Sequence, residues 1–345
     1  MKFLFRKPAA PVPPAVSALG TGAEDAATAG PVVPLRSVVL HVGGPKTATS
    51  TLQRWMNSNR PALGAEGVQV LSPKNLRSGP MLGPALAFLQ GRRDLPPREI
   101  LREPFAAATR PRMLVSEESL TNQFIPGQVS PGVAGAPTGF AGVERLVALI
   151  RAMDLPDLQI LLTVRRQDRF IRSCYSHRIK RSGATEDFAG WLAAHVDAAD
   201  LSWARVTRAL EAAFGEDRVH VVPYEILEDA DDAALYARCL APLGVDTSGH
   251  RAPKIRNANP ALSELTVDLA RRLNALPART AAQAEFRTTT IESIHRFCSD
   301  AGDPVFRPDM RAFTDTCRAL YATENAELAR RKFPDLATSF DYSRD

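Results

Sequence analysis

The sequence predicts an α/β fold in which helices cover a central parallel sheet of about five strands. Five short segments are rich in aliphatic residues, and their apolar residues are continuous rather than alternating with polar ones. Continuous apolarity indicates a strand that is buried on both faces, as in parallel sheets. The predicted strands comprise residues 37–42, 68–71, 113–116, 159–164 and 218–222.

Helical patterns separate these strands and dominate the last third of the chain. Apolar residues recur at helical spacing in residues 49–57, 143–153, 168–181 and 203–214, and again in 231–240, 262–276 and 315–331. Residues 72–110 contain Pro and Arg throughout, and we expect them to form short helices and loops. Strands that alternate with helices are typical of a layered α/β sandwich.

We expect one folded domain that begins near residue 36. Residues 1–35 contain six prolines and no periodic apolar pattern, which predicts a disordered N-terminal segment. Within the domain, residues 36–250 are predicted to form the α/β core and residues 251–345 a helical cap.

Composition restricts the cellular setting and the partners of the 345-residue chain. No apolar run approaches the roughly 18 residues of a membrane-spanning helix, and the apolar start is too short for a secretory signal. The four cysteines lie far apart, which predicts reduced thiols in the cytoplasm and no zinc site. The net charge of +5 favours anionic partners. Nucleic acid is not expected, because the few aromatic residues do not alternate with basic ones.

The most specific feature is HVGGPKTATSTLQRW, which runs from His41 to Trp55 between the first predicted strand and the first helix. Backbone N–H groups and the positive end of a helix dipole bind phosphate at such a junction. Two glycines allow the chain to turn, and a lysine and four hydroxyl residues follow. The GxxxxGK[ST] spacing of ATP- and GTP-binding loops is absent, because Lys46 comes only two residues after Gly44. A helix cap beside an exposed lysine is the simpler interpretation, but a cap requires only one hydroxyl side chain.

This loop resembles the 5′-phosphosulfate-binding loop of the sulfotransferases that use 3′-phosphoadenosine 5′-phosphosulfate (PAPS), particularly their bacterial members. The family core P-K-[ST]-G-[ST]-[ST] is matched by PKTATS, except that Ala48 stands where the family usually has glycine. If that position requires a positive φ angle, alanine costs about 1 kcal/mol or more. The resemblance implies a three-layer sandwich of the P-loop type. It assigns donor binding to Gly44, Pro45, Lys46, Thr47, Ala48, Thr49, Ser50 and Thr51.

A second basic segment, RRQDRFIRSCYSHRIKR, follows the fourth predicted strand. From Arg165 to Arg181 it contains six arginines and one lysine against a single acid. Arg165, Ser173 and Tyr175 resemble the 3′-phosphate signature of the family, in which arginine clamps a phosphate through parallel hydrogen bonds and serine adds another. For the other arginines a solvated helix face is the alternative.

The segment KIRNANPALS, residues 254–263, lies where family members fold a cover over the nucleotide. The resemblance therefore adds Arg256 and Asn257 as candidate donor contacts. A helix cap is the alternative interpretation for an asparagine at this position.

The acceptor requires a general base, and the segment RMLVSEESL places two acids just after the third predicted strand. Histidine or glutamate serves as the base in the family, and the S-x-E pattern of bacterial members is matched by Ser116 and Glu118. Partial burial raises the pKa of a glutamate toward neutrality, which suits a base. Glu117 is the second candidate and His177, four residues after Ser173 on one helix face, is the reserve. Pairing of the glutamates with arginines is the alternative.

The resemblance implies transfer of a sulfuryl group from PAPS to a hydroxyl or amine acceptor, with adenosine 3′,5′-bisphosphate as the product and no metal. Lys46 is expected to neutralise charge on the leaving phosphate. The acceptor stays open among a glycan, a lipid and a small molecule, with a carbohydrate favoured by the bacterial resemblance. Two other functions stay open: a P-loop-kinase-like nucleotide-dependent transferase, and an inactive homologue that binds nucleotides or polyanions.

Overall fold

The computed structural model describes residues 31–44, 46–127, 139–229, 232–251, 261–335 and 340–342. Most of the predicted disordered segment 1–35 and the candidates Pro45, Arg256 and Asn257 lie outside these residues.

The centre of the fold is a five-stranded sheet in which all neighbouring strands are parallel. Its order is β2-β3-β1-β4-β5. The strands are β1 (Ser37–His41), β2 (Val68–Leu71), β3 (Arg112–Ser116), β4 (Leu158–Val164) and β5 (Val219–Pro223). The chain leaves β1 toward β2 at one edge and leaves β4 toward β5 at the other. Ligands bind at such a reversal of strand order, outside the carboxyl ends of the strands.

Fourteen α-helices connect and flank these strands in the described part of the chain. They are α1 (Thr49–Ser58), α2 (Arg60–Ala65), α3 (Pro73–Arg77), α4 (Leu82–Leu89), α5 (Arg98–Ala106), α6 (Val143–Met153), α7 (Gln167–Arg181), α8 (Phe188–His195), α9 (Trp203–Phe214), α10 (Ile226–Asp229), α11 (Asp232–Leu240), α12 (Glu264–Ala275), α13 (Ala281–Asp300) and α14 (Arg311–Lys332). None of them is long and apolar enough to cross a membrane.

The core lies on both faces of the sheet. Consecutive residues of a strand point to opposite faces, and Val38, Val39 and Leu40 of β1 are all almost completely buried. Val39 belongs to a cluster that includes Trp55 of α1 and Tyr236 of α11, whose rings stack at 5.1 Å. The predicted fold class, α/β with a central parallel sheet of five strands, is confirmed.

The described residues form two compact units. The smaller one comprises Ile179–Thr185 and Leu262–Phe306, in which Asn274 Nδ2 of α12 donates to the carbonyls of Ile179 and Ala184. The larger one contains the sheet, and also α14, which packs against α9 and β5. The predicted division into an α/β core and a helical cap at residue 250 stays a prediction.

The predicted strands agree with the observed ones to within one residue at each end. The predicted helices at 143–153 and 203–214 agree fully with α6 and α9, whereas α13 lies in the predicted helical cap but is not among the individually predicted helices. Only Ile291, His295 and Cys298 of its 20 residues are buried. A helix that buries so few residues has no broad apolar stripe in its sequence.

Candidate active site

The loop after β1 stays close to β4 beyond the end of the strand. The N–H of Gly44 donates to the carbonyl of Thr163 at 3.0 Å. A Cβ atom at Gly43 would lie 2.0 Å from Thr163 Oγ1, and one at Gly44 would lie 2.7 Å from the ring of Trp203. The two glycines are therefore required by the close approach of neighbouring side chains, not by a turn, since neither has a positive φ angle.

The turn itself is made by two residues that are not glycine. Lys46 and Ala48 both have a φ angle of 68°, in the left-handed region that costs a residue with a Cβ roughly 1–2 kcal/mol. Ala48 is also the N-cap of α1, and it supplies no side-chain acceptor to the helix. The sequence raised the question of whether alanine is strained at this position, and the φ angle shows that it is. Strained backbone of this kind is concentrated at functional sites.

A buried chain of hydrogen bonds lies under the loop and crosses three strands. Thr47 Oγ1 donates to the carbonyl of Gly44 at 2.5 Å and lies 2.6 Å from Thr163 Oγ1. His41 bridges Thr163 Oγ1 at 3.2 Å and Ser116 Oγ at 2.8 Å. Burial lowers the pKa of His41 to about 3, so its ring is neutral and can donate from only one nitrogen. The Thr47 side chain, predicted to hold the donor, is fully buried in this network.

A carboxylate reaches the start of α1 from the end of β3. Thr49 Oγ1 donates to Glu118 Oε2, and Thr121 Oγ1, one turn after Glu118, contacts the carbonyl of Gly43 at 2.8 Å. Glu118 is half-buried and opens the 3₁₀ helix Glu118–Phe124. Ser50 and Thr51, on the first turn of α1, are also half-buried.

Glu117 has a different environment, although it is the adjacent residue. Its side chain is completely buried, and Oε1 accepts from the N–H of Ser119 at 3.0 Å and from Arg77 Nη2 at 3.5 Å. Burial raises the pKa of Glu117, and Arg77 opposes that shift. Glu117 therefore caps the 3₁₀ helix and pairs with Arg77. Glu118 is the carboxylate that contacts the first residue of α1.

The second basic segment meets the loop directly. Arg165, the residue after β4, donates from Nη1 to the carbonyl of Lys46 at 3.2 Å. Its guanidinium lies 4.0 Å from the ring centroid of Tyr224, and its own carbonyl accepts from Trp203 Nε1 at 2.6 Å. Arg165 Nε is buried with no hydrogen-bond partner in the described part of the chain. This donor of the guanidinium is therefore unsatisfied among the described residues.

The remaining candidates of the second segment lie on α7. Ser173 and His177 are half-buried. Tyr175 is fully buried and donates its hydroxyl to the carbonyl of Glu186 at 2.9 Å, so its contact with a nucleotide stays a prediction. Burial raises the pKa of Cys174, and the charges of Lys46 and Arg165 both oppose that shift, so both cations lie near the same point of α7.

The structure therefore brings together Lys46, Thr49, Glu118 and Arg165 at the carboxyl ends of β1, β3 and β4. Thr163 and Trp203, which hold the loop and Arg165 in place, were not among the predicted site residues. The sequence contains an indication of Thr163, since it is the one polar residue at the otherwise apolar end of β4. Among the residues that can be described, no group of three or more His, Cys, Asp or Glu side chains is arranged to hold a metal ion.

No protein-family model and no curated protein sequence matches the chain. Among solved structures, it is similar to the sulfotransferase from Alicyclobacillus acidocaldarius, at 17% sequence identity and a TM-score of 0.37, over 73% of this chain and 99% of that one. It is also similar to the sulfotransferase domain from the curacin biosynthetic pathway, at 14% identity and a TM-score of 0.33, over 80% of this chain and 100% of that one. The function has to be inferred from the residues of the site.

Proposed function

We propose that the protein is a sulfotransferase that transfers a sulfuryl group from PAPS to a hydroxyl or amine acceptor. The observation that carries this proposal is the contact between the two basic segments, in which Arg165 donates to the carbonyl of Lys46 at 3.2 Å. A donor with phosphate groups at its 3′ and 5′ ends requires two adjoining anion sites. The loop from Gly44 to Thr51 is suited to the 5′ end, and Arg165 with Ser173 to the 3′ end.

The roles of the residues follow from the chemistry of an in-line displacement at sulfur. The acceptor oxygen or nitrogen forms a bond to sulfur, the bond from sulfur to the 5′-phosphate oxygen breaks, and adenosine 3′,5′-bisphosphate leaves. Lys46 neutralises the charge that develops on the leaving oxygen, a contact comparable to those worth about 10²–10³ in rate. Glu118 removes the proton of the acceptor, and its bond to Thr49 holds it at the start of α1.

Thermal unfolding with two nucleotides tests the proposal. Adenosine 3′,5′-bisphosphate should raise the melting temperature more than ADP with magnesium does, because only the first has a 3′-phosphate for Arg165. The Lys46→Ala variant should show a smaller shift with adenosine 3′,5′-bisphosphate. Equal shifts with both nucleotides, or a preference for ADP with magnesium, would reject the proposal, and the preference would favour a kinase-like transferase.

The second candidate is an inactive homologue that only binds the nucleotide or a polyanion. The positive φ angle of Ala48 favours it, because the resemblance implies that glycine is usual at this position, and glycine adopts a positive φ angle without strain. Transfer of radiolabelled sulfate from PAPS to a panel of acceptors, with Lys46→Ala as the blank, separates the two candidates. We infer a cytoplasmic location, since all four cysteines are unpaired and buried.

A further inference from the structure

The buried hydrogen bonds under the loop form one chain with five links. It runs from the side chain of Gln53 on α1 through Ser116, His41, Thr163 and Thr47 to the carbonyl of Gly44. The four side chains between its ends are almost completely buried. A hydroxyl has one hydrogen, and so has a neutral imidazole ring, so each of these four groups can donate only once. The direction of each link therefore depends on the links beside it.

The loop end of the chain determines the direction of the links. The carbonyl of Gly44 can only accept, so the Thr47 hydroxyl donates to it at 2.5 Å. Thr47 Oγ1 must then accept from the Thr163 hydroxyl, which lies 2.6 Å away. Because Thr163 has donated its hydrogen, its Oγ1 accepts from His41 Nε2 at 3.2 Å. The ring hydrogen of His41 is therefore on Nε2.

The other end of the chain requires the same direction. A neutral His41 ring with its hydrogen on Nε2 leaves Nδ1 to accept from the Ser116 hydroxyl at 2.8 Å. Ser116 Oγ can then only accept, and Gln53 Nε2 donates to it at 3.1 Å. An amide N–H group can only donate, so both ends of the chain lead to the same form of the ring.

The link between His41 and Thr163 is packed against Gly43. A Cβ atom at Gly43 would overlap both Thr163 Oγ1 and His41 Nε2, so only glycine leaves room for this hydrogen bond. Thr163 also accepts from the N–H of Gly44 with its own carbonyl, at 3.0 Å. Both backbone polar groups of Gly44 thus depend on Thr163, the N–H directly and the carbonyl through Thr47.

We propose that His41, with its hydrogen on Nε2, is a positioning residue of the donor loop and acts through Thr163. The hydrogen bond from His41 leaves the Thr163 hydroxyl one orientation, toward Thr47, and Thr47 then holds the carbonyl of Gly44. The loop backbone is thereby fixed before an anion binds, and N–H donors that are already in place bind charge most effectively. The role in PAPS binding rests on the proposed sulfuryl transfer, whereas the direction of the chain and the fixing of the loop do not.

Nuclear magnetic resonance of the ligand-free protein, with ¹⁵N-labelled histidine, tests the direction of the chain. The signals of His41 are identified by their loss in His41→Gln and their shift in Thr163→Ser. At neutral pH the ring should be in the neutral form that has its hydrogen on Nε2. Hydrogen on Nδ1, a mixture of the two neutral forms or a charged ring would overturn the proposal.

Amide hydrogen exchange of the ligand-free protein tests whether the chain fixes the loop. Thr163→Val replaces the hydroxyl by a methyl group, and exchange of the Gly44 N–H should become about tenfold faster than in the unaltered protein, the effect of losing one hydrogen bond. Thr163→Ser keeps a hydroxyl and should change the rate much less. Thr207→Val is the matched control, because the Thr207 hydroxyl is buried with no partner in the described residues.

The comparison with β1 separates positioning from a general loss of stability. In Thr163→Val the N–H of Gly44 should gain more exchange than the N–H of Leu40 in β1 does, and in Thr207→Val neither should change. Equal acceleration at Gly44 and Leu40 would assign Thr163 a merely structural role and overturn the proposal. Unchanged exchange at Gly44 would also overturn it.

Titration with adenosine 3′,5′-bisphosphate distinguishes this inference from the proposed function. Thr163→Val and His41→Phe should bind the nucleotide about tenfold more weakly than the unaltered protein. Thr163→Ser, and His41→Gln with one amide donor and one acceptor, should recover part of the affinity. The Thr163 pair decides the test if a histidine variant does not fold. Equal affinity in Thr163→Val and the unaltered protein would overturn the proposal. If the unaltered protein binds no nucleotide but the resonance and exchange results hold, the proposed function fails and the positioning of the loop stands.

Discussion

Arg165 donates a hydrogen bond from Nη1 to the carbonyl of Lys46 at 3.2 Å, across 119 residues of sequence. The two residues follow β1 and β4, which are neighbours in the sheet. Parallel pairing places the carboxyl ends of both strands at the same edge. The contact therefore turns two separate basic segments into one cationic site.

The first prediction concerns Arg165. Arg165→Ala should weaken the binding of adenosine 3′,5′-bisphosphate about tenfold or more, because it removes a charged hydrogen-bond donor. Arg165→Lys should restore only part of the affinity, since an ammonium group keeps the charge but not the planar fork. Calorimetry measures both, with Arg208→Ala as the control. Unchanged affinity in Arg165→Ala would exclude this residue from the nucleotide site.

The second prediction distinguishes the two adjacent glutamates. Glu118→Gln should lower kcat for sulfate transfer by about 10²–10⁴, the usual contribution of a general base, and leave nucleotide affinity nearly unchanged. Glu117→Gln keeps an oxygen that can accept from the N–H of Ser119 and should change kcat much less. Steady-state kinetics and nucleotide titration of both variants check this. A lower kcat in Glu117→Gln than in Glu118→Gln would identify Glu117 as the base.

The sequence was sufficient to predict the five strands and the residues that meet at their carboxyl ends. Each strand is a continuous apolar run, and Lys46 and Arg165 each follow such a run directly. These signals are local, so one sequence reveals them. The parallel order of the strands then brings the two residues together without further information.

The rest depends on contacts between distant segments. The direction of the Thr47 hydroxyl is set by Thr163, and the neutral state of His41 by its burial between β3 and β4. No local pattern encodes these contacts, and the φ angle of Ala48 likewise follows from how α1 is held against the core.

The third prediction concerns that alanine. Ala48→Gly should raise the free energy of unfolding by up to about 1 kcal/mol, because relief of left-handed strain exceeds the added entropy of the unfolded chain. Loss of the Ala48 side chain from the core cluster reduces the gain. Urea unfolding measures the change in the free energy of unfolding. Ala62→Gly, at an exposed position within α2, is the matched control and should lose about 0.5–1 kcal/mol. A loss in both variants would contradict the argument.

The fourth prediction concerns the pH dependence of stability and depends on Glu225. This side chain is fully buried; Oε1 accepts from the N–H of Arg166 at 3.0 Å, and Oε2 has no hydrogen-bond partner in the described residues. Burial raises the pKa of Glu225 from its ordinary value of 4.5 to about 7, against the opposing charge of Arg165. Between these two pH values the folded protein binds more protons than the unfolded chain does. The free energy of unfolding therefore falls as the pH rises through this window.

Glu225→Gln should remove that fall, because an amide keeps an acceptor for Arg166 and carries no charge. The loss between pH 4.5 and pH 8 is on the order of 3 kcal/mol for this carboxyl in the unaltered protein. Urea unfolding at pH 5 and pH 8 measures most of it, and the difference between the two pH values should be smaller in the variant. Glu99→Gln, at an exposed carboxylate of α5, should keep the dependence of the unaltered protein. If Glu225→Gln had the same pH dependence as the unaltered protein, ionisation of Glu225 in the folded chain would not lower the free energy of unfolding, and the prediction would be wrong.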